Sequence, residues 1–371
     1  MASGDGMKSL RSTLERLAHA VLHTKGTAPV ALIVGATGLG LLVGLDSLVM
    51  DEPVPRGDDE IYERMAQDPF GTHTFPFAYR IAVPWLVHVL PFGHTFSFSV
   101  LAWLFSASAG AVLFILLERL GFSRTISIPF ALILVVSPPL LVASLRQGRS
   151  ADPLTVLVMV TGALFIVERR SRALAATMLI GAFNRESALF LAPWAYAVWA
   201  RDWWDGDALR RVIAVALPAA LAYASLRLAI PTVGREQVPG YGSLVGSRWD
   251  VIRDALTTLP TLARRAFTTF GPFWFVAPLA LRDWSFARRS LVLAALCAVS
   301  MTFALDWQRV VLIAAPAVYA SAAWSVRHSN RLLAVVLAAW LALIGGYAIY
   351  MDRSGVRTGI IENSPPRYPV R

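Results

Sequence analysis

Charge is scarce in this sequence, cysteine is almost absent and histidine is rare. Only 16% of the 371 residues are Asp, Glu, Lys or Arg, where a soluble domain carries roughly a quarter. With 56% hydrophobic residues and a mean hydropathy of +0.57, this excludes an ordinary water-soluble domain. A single cysteine, Cys297, rules out an internal disulfide and any cysteine-built metal cage. His73, His88 and His94 lack metal-ligand spacing with one another. There is no internal repeat, low-complexity tract or linker, so one membrane domain is expected rather than an array. No cleavable leader is evident either, because the first apolar block ends without a small-residue cleavage pattern.

What is present is a series of apolar blocks of about 15 to 22 residues, near the length that spans a bilayer as a helix. They run near Ala28–Met50, Thr95–Leu117, Thr125–Leu145, Pro153–Val167, Ala173–Phe183, Ser187–Ala200, Val212–Ile230, Ala266–Leu281, Ser290–Leu305, Val310–Val326 and Leu332–Tyr350. The expectation is an all-α membrane protein with about 10–11 transmembrane helices. Ala173–Phe183 and Ser187–Ala200 are too short alone. They read either as one long helix or as two short ones meeting a water-filled cavity.

The net charge of +10 would suggest nucleic acid in a soluble chain. Here the arginines sit in short loops, ERLGFSR, ERRSR, RDWWDGDALRR, RDWSFARR and RHSNR, and no nucleic-acid partner is expected. Lys8, Arg11, Arg16 and Lys25 precede the first block. The positive-inside rule then puts the N-terminus and all five of those loops in the cytoplasm. Residues 1–27 form a cytoplasmic segment whose Leu10, Leu14, Leu17 and Val21 give an amphipathic surface helix. Residues 28–350 form the membrane domain, and 351–371 a short extracytoplasmic tail.

The outer connections are of another kind. They are the first loop with its adjoining short segment, 51–94, then RQGRSADP, NRES, the second large loop 231–265, and DWQR. They mix acids and arginines at the ends of spans, where ionisable groups are costly unless they face a cavity or one another. Asp152 before Pro153 suits a helix cap. Arg185 and Glu186 read either as a buried ion pair or as a ligand contact. Asp306 and Arg309, three apart, read either as partners or as site residues. In YRIAVPWLVHVLP, Arg80 opens an apolar segment too short to span, which suggests a re-entrant or surface helix. Arg80, Arg146, Arg149, Arg185 and Arg309 on one face, beside the carboxylates of 58–68, suit an anionic phosphate held near an acid–base group.

DDEIYERMA directly after the first span, with PFAYRIAVP, RQGRSADP, NRES and DWQR, resembles the GT-C class of polytopic membrane glycosyltransferases, bacterial type. The resemblance implies a catalytic first extracytoplasmic loop in the bacterial inner membrane. It also implies a polyprenyl-phosphate-linked sugar donor and an extracytoplasmic acceptor, a glycan, lipid or protein. Asp59 is then the general base, with Asp58 next, and the five arginines are the pool of donor-phosphate ligands. Glu186, Asp152, Asp306, Tyr62 and His73 orient substrate. Asp59, Tyr62, Met65 and Ala66 would share one helical face. No cofactor is fixed by the sequence; a divalent metal, Mg or Mn, beside Asp58 and Asp59 stays open without a ligand set to support it. Trp249, Trp274 and Trp307 read as sugar-stacking rings or as an interfacial belt. Two rival functions remain: a transporter or flippase of a lipid-linked or anionic substrate, and another lipid-linked group transferase.

Overall fold

A computed structural model describes residues 24–46, 58–145, 149–233, 259–301 and 307–354, with isolated positions 22, 253, 256 and 257. Most of the N-terminal segment and of the second outer loop, together with Arg146, Trp249 and Asp306, therefore lie outside the described residues.

The architecture is all-helical. Helix α1 (Thr27–Asp46) is followed by the short α2 (Asp58–Gln67) and α3 (Ala82–Val89), and then by α4 (His94–Arg119). Helices α5 (Arg124–Val135) and α6 (Pro138–Leu145) meet at a bend of 46°. The tandem Pro138–Pro139 cannot supply the amide donors that would carry α5 onward, and Ser137 Oγ donates instead to the Leu134 carbonyl. Next come α7 (Asp152–Val167), α8 (Ser171–Asn184), α9 (Leu191–Trp199) and α10 (Gly206–Ala229). The C-terminal part holds α11 (Leu259–Phe270), the one-turn helices α12 (Phe273–Val276) and α13 (Ala280–Asp283), then α14 (Ser285–Met301), α15 (Trp307–Leu312), α16 (Ala315–Val326) and α17 (Asn330–Ser354).

Among the described residues α1, α4 and α10 are long and apolar enough to cross a membrane, and the bent α5–α6 pair adds a fourth if it is one span. These helices suggest a membrane protein. Of the expected 10–11 crossings, helix length and composition support three or four among the described residues. Several of the apolar blocks fold as shorter or broken helices, interrupted at Pro138, at Arg185 and at Pro272. Ala173–Phe183 and Ser187–Ala200 resolve into two short helices, α8 and α9. Between them stand Arg185, in extended conformation (φ −163°), and a 3-10 turn over Glu186–Phe190.

Helices pack closely where residues are small, as expected when apolar surface alone does not favour association. A Cβ built on Gly110 would sit 2.4 Å from Val135 on α5, and one on Gly181 2.5 Å from the Ala188 Cβ. The one β feature among the described residues is a parallel bridge, β1 (His73–Thr74) with β2 (Thr232–Val233), which ties the segment after α2 to the segment after α10.

Polar contacts mark two ends of the bundle. At one, Arg124 bonds Glu118 and the carbonyls of Leu22, Thr24 and Gly26, while Arg119 pairs with Glu168. There too Arg289 caps α9 through the carbonyls of Val198 and Ala200. The other end gathers the acids and arginines of 58–80, 149–152, 185–186 and 309.

Candidate functional site

Helix α2 forms because its charges suit its ends: Asp58, Asp59 and Glu60 occupy the first turn and Arg64 the last. Its buried face is Asp59, Tyr62, Met65 and Ala66, the four positions that the spacing joins. Tyr62 meets Phe77 edge-on at 5.8 Å, and His88 of α3 bonds the Ala66 carbonyl at 2.9 Å, so the helix is clamped from two sides.

Around α2 the acid- and arginine-bearing connections converge through ion pairs. Arg309 of α15 reaches Asp58 Oδ2 at 2.8 Å and Asp152 Oδ2 at 3.6 Å. Asp152 Oδ1 accepts from Arg185 at 2.6 Å, and Ser150 Oγ donates to its Oδ2 at 2.9 Å. Arg80 pairs with Glu186 at 3.2 Å and lies over the Phe77 ring at 5.2 Å. Arg149 donates to Glu63 Oε2 and to Thr95 Oγ1, both at 2.7 Å, and Glu63 Oε1 lies 3.2 Å from His94 Nδ1.

Asp59 stands apart. It is 7% exposed, and among the described residues its carboxyl forms no hydrogen bond or ion pair. Burial pushes its pKa from 3.8 up to about 7; Arg149 opposes the rise, Asp58 adds to it, and Arg309 opposes it less strongly than Arg149. The described cluster thus sets five carboxylates (Asp58, Asp59, Glu63, Asp152, Glu186) against four arginines (Arg80, Arg149, Arg185, Arg309). Its charge balances when Asp59 carries a proton. Burial also holds the Tyr62 phenol above its ordinary value, with Arg80 opposing.

Of the residues singled out from sequence, Asp58, Asp59, Tyr62, Arg80, Arg149, Asp152, Arg185, Glu186 and Arg309 are brought together. His73 is not joined to them: it sits on β1 with Nε2 2.5 Å from the Asp68 carbonyl. Arg146 and Asp306 lie outside the described residues. One local expectation is corrected, and one alternative left open by the sequence is narrowed. Asp152 does not cap α7, since Ala151 is the N-cap residue and makes no side-chain cap; two arginines draw the Asp152 carboxylate away from the helix amides. Arg185 and Glu186 do not pair with each other, because the extended Arg185 backbone sends neighbouring side chains to Asp152 and Arg80 respectively. Trp274 Nε1 donates to the Ala266 carbonyl and Trp307 Nε1 to that of Met301, so both indoles are tied to backbone nearby.

His94, Thr95 and Ser150 were missed by sequence reasoning, and Glu63 was read only as one of the carboxylates of 58–68. Glu63 had a signal, lying four residues after Asp59 and so one turn along the same helix; the other three had none. Among the described residues no three His, Cys, Asp or Glu side chains are grouped to hold a metal ion. The residues present fit a divalent cation poorly, since Asp58 Oδ2 is taken by Arg309 and both Asp152 oxygens by arginine. Four buried side-chain atoms of the cluster and its immediate neighbours, Arg80 Nε, Asn184 Oδ1, Ser187 Oγ and Gln308 Nε2, have no hydrogen-bond partner among the described residues. Such atoms are uncommon in folded proteins and collect where a ligand or water belongs.

Compared with models of known protein families the chain finds no match, and a comparison with curated proteins finds none either.

Proposed function

We propose that this is a membrane glycosyltransferase of GT-C type, moving a sugar from a polyprenyl-phosphate donor to a hydroxyl of an extracytoplasmic acceptor, with Asp59 as general base. The observation that carries the reading is Asp59 itself: buried, without a partner among the described residues, flanked by arginines, and with a pKa of about 7. A base is most effective when its pKa lies near the working pH. A purely structural carboxylate in a nest of arginines would instead be paired.

In the proposed reaction Asp59 accepts the proton of the acceptor hydroxyl as its oxygen attacks the anomeric carbon. The bond from that carbon to the phosphate oxygen breaks, and the lipid phosphate departs with the electron pair. Arg149 and Arg309, whose charges reach Asp59, are the first choice for holding the leaving phosphate. Arg80 and Arg185 are the second rank, since neither charge is among those that act on Asp59; all four guanidiniums lie 3.2 Å or less from a carboxylate that must yield before phosphate can bind. Glu186 and Asp152 keep these guanidiniums in place, and Tyr62 fixes the helix that carries the base. No step is routed through a metal.

The test is to supply reconstituted protein with labelled polyprenyl-phosphate sugars and acceptor fractions, and to follow both free lipid phosphate and movement of lipid across the bilayer. Release of lipid phosphate with sugar gained by acceptor supports the reading. Translocation without cleavage would replace it with a flippase.

A further inference from the structure

Arg227 was not singled out by its sequence context, YASLRLAI, yet it is placed unlike the other arginines at this end of the molecule. It lies in the last turn of α10, a helix whose Leu217, Leu221 and Leu228 are 50%, 59% and 89% exposed and therefore face the bilayer in a membrane setting. Its guanidinium lies 5.8 Å over Phe75, 4.9 Å over Tyr79 and 4.8 Å over Tyr223, and donates to the Tyr223 hydroxyl. Phe75 and Tyr79 are buried and belong to the first outer loop. The strand following α10 pairs with that loop, and the Phe75 amide donates to the Val233 carbonyl at 3.0 Å.

The rings fix the plane of the guanidinium without neutralising it. Arg80, Arg149, Arg185 and Arg309 each face a carboxylate. Among the described residues Arg227 meets none within ion-pair distance. Its field nevertheless reaches Glu186, the partner of Arg80, whose Nε is buried without a hydrogen-bond partner. An exposed arginine on a lipid-facing helix, pre-oriented and with no counter-ion among the described residues, is costly unless an anion meets it there.

We propose that Arg227, seated on Phe75, Tyr79 and Tyr223, is a docking station for the phosphate of an outer-leaflet lipid, reached sideways from the bilayer and next to the Arg80–Glu186 pair. Its planar fork pairs with two phosphate oxygens at once, and a terminal phosphate monoester, with a third free oxygen and up to twice the charge, holds it more strongly than the phosphodiester of a bulk phospholipid. The proposal rests on the reading above only in taking that lipid as the product released by the transfer; the binding itself needs no sugar transfer.

The experiment uses full-length protein in phosphatidylcholine nanodiscs and a radiolabelled polyprenyl phosphate carrying no sugar, with phosphatidylglycerol and inorganic phosphate as competitors. Wild type binds the probe, Arg227→Gln weakens binding about ten-fold, and Arg211→Gln, over Trp199 at the opposite end of α10, leaves it unchanged. Should Arg227→Gln not fold, Arg227→Lys decides, because it keeps the charge and loses the fork: weaker binding supports the station and unchanged binding overturns it. Equal affinity in wild type and Arg227→Gln overturns it as well. So does displacement by phosphatidylglycerol as effective as by unlabelled probe, which would make Arg227 a headgroup anchor. If the probe binds through Arg227 and no sugar is ever transferred, the station stands and the transferase reading fails.

Discussion

Asp59 and its neighbours act on one another through charge, and this makes the base testable without a transition-state probe. A carboxyl whose pKa is raised to about 7 keeps its proton below that pH and cannot accept another. The proposed transfer is therefore expected to rise with pH and level off above about 7. Arg149 lowers the Asp59 pKa and Asp58 raises it. Arg149→Gln is expected to move the acidic limb of the pH–rate profile upward, and Asp58→Asn to move it downward. Limbs that stay put in both variants would mean that another group titrates. Asp59 itself was legible in the sequence, because acids crowd after the first apolar block and Tyr62, Met65 and Ala66 share its helical face. The partners of the arginines were not, because pairs such as Asp58 with Arg309 join positions 251 residues apart and no local pattern encodes which acid meets which base.

At the scale of elements, the site depends on how closely α8 approaches its neighbours. Gly181 lies one turn before Arg185, and a Cβ there would come 2.5 Å from Ala188 and 2.7 Å from Val158 Cγ1. Gly181→Ala must push the end of α8 outward, which costs about 1–3 kcal/mol and pulls Arg185 from Asp152. A lower melting temperature together with a raised KM for donor is expected. Wild-type values of both would show that the site tolerates movement of α8. Helix positions were largely readable from the apolar blocks, since α1, α4 and α10 follow them within a few residues. The interruptions were less so. Pro138 announces its own bend, whereas Arg185 breaks the path between α8 and α9 through an extended backbone that its residue type does not dictate.

For the whole molecule, the two ends differ in chemistry as the alternation of arginine-rich and acid-bearing loops implies. Arg119, Arg124 and Glu168 gather at one end and the Asp59 cluster at the other. The reading places the first end in the cytoplasm and the second outside. Phe70 is 58% exposed beside the cluster, and Trp203 is 88% exposed in the RDWWDGD loop. In a Cys297→Ser background, a membrane-impermeant maleimide added to intact cells should label Phe70→Cys at once and Trp203→Cys only after permeabilisation. The reverse order would turn the molecule over and remove an extracytoplasmic acceptor.

The central claim is that the carboxyl of Asp59 performs chemistry rather than merely tolerating burial. Its most direct test is sugar transfer from a polyprenyl-phosphate donor by reconstituted wild type and Asp59→Asn, with donor binding measured in parallel. The account predicts a fall in turnover of about 10²–10⁴-fold with donor affinity retained, because asparagine keeps the shape of the side chain and cannot take the proton. Undiminished turnover in Asp59→Asn would contradict it.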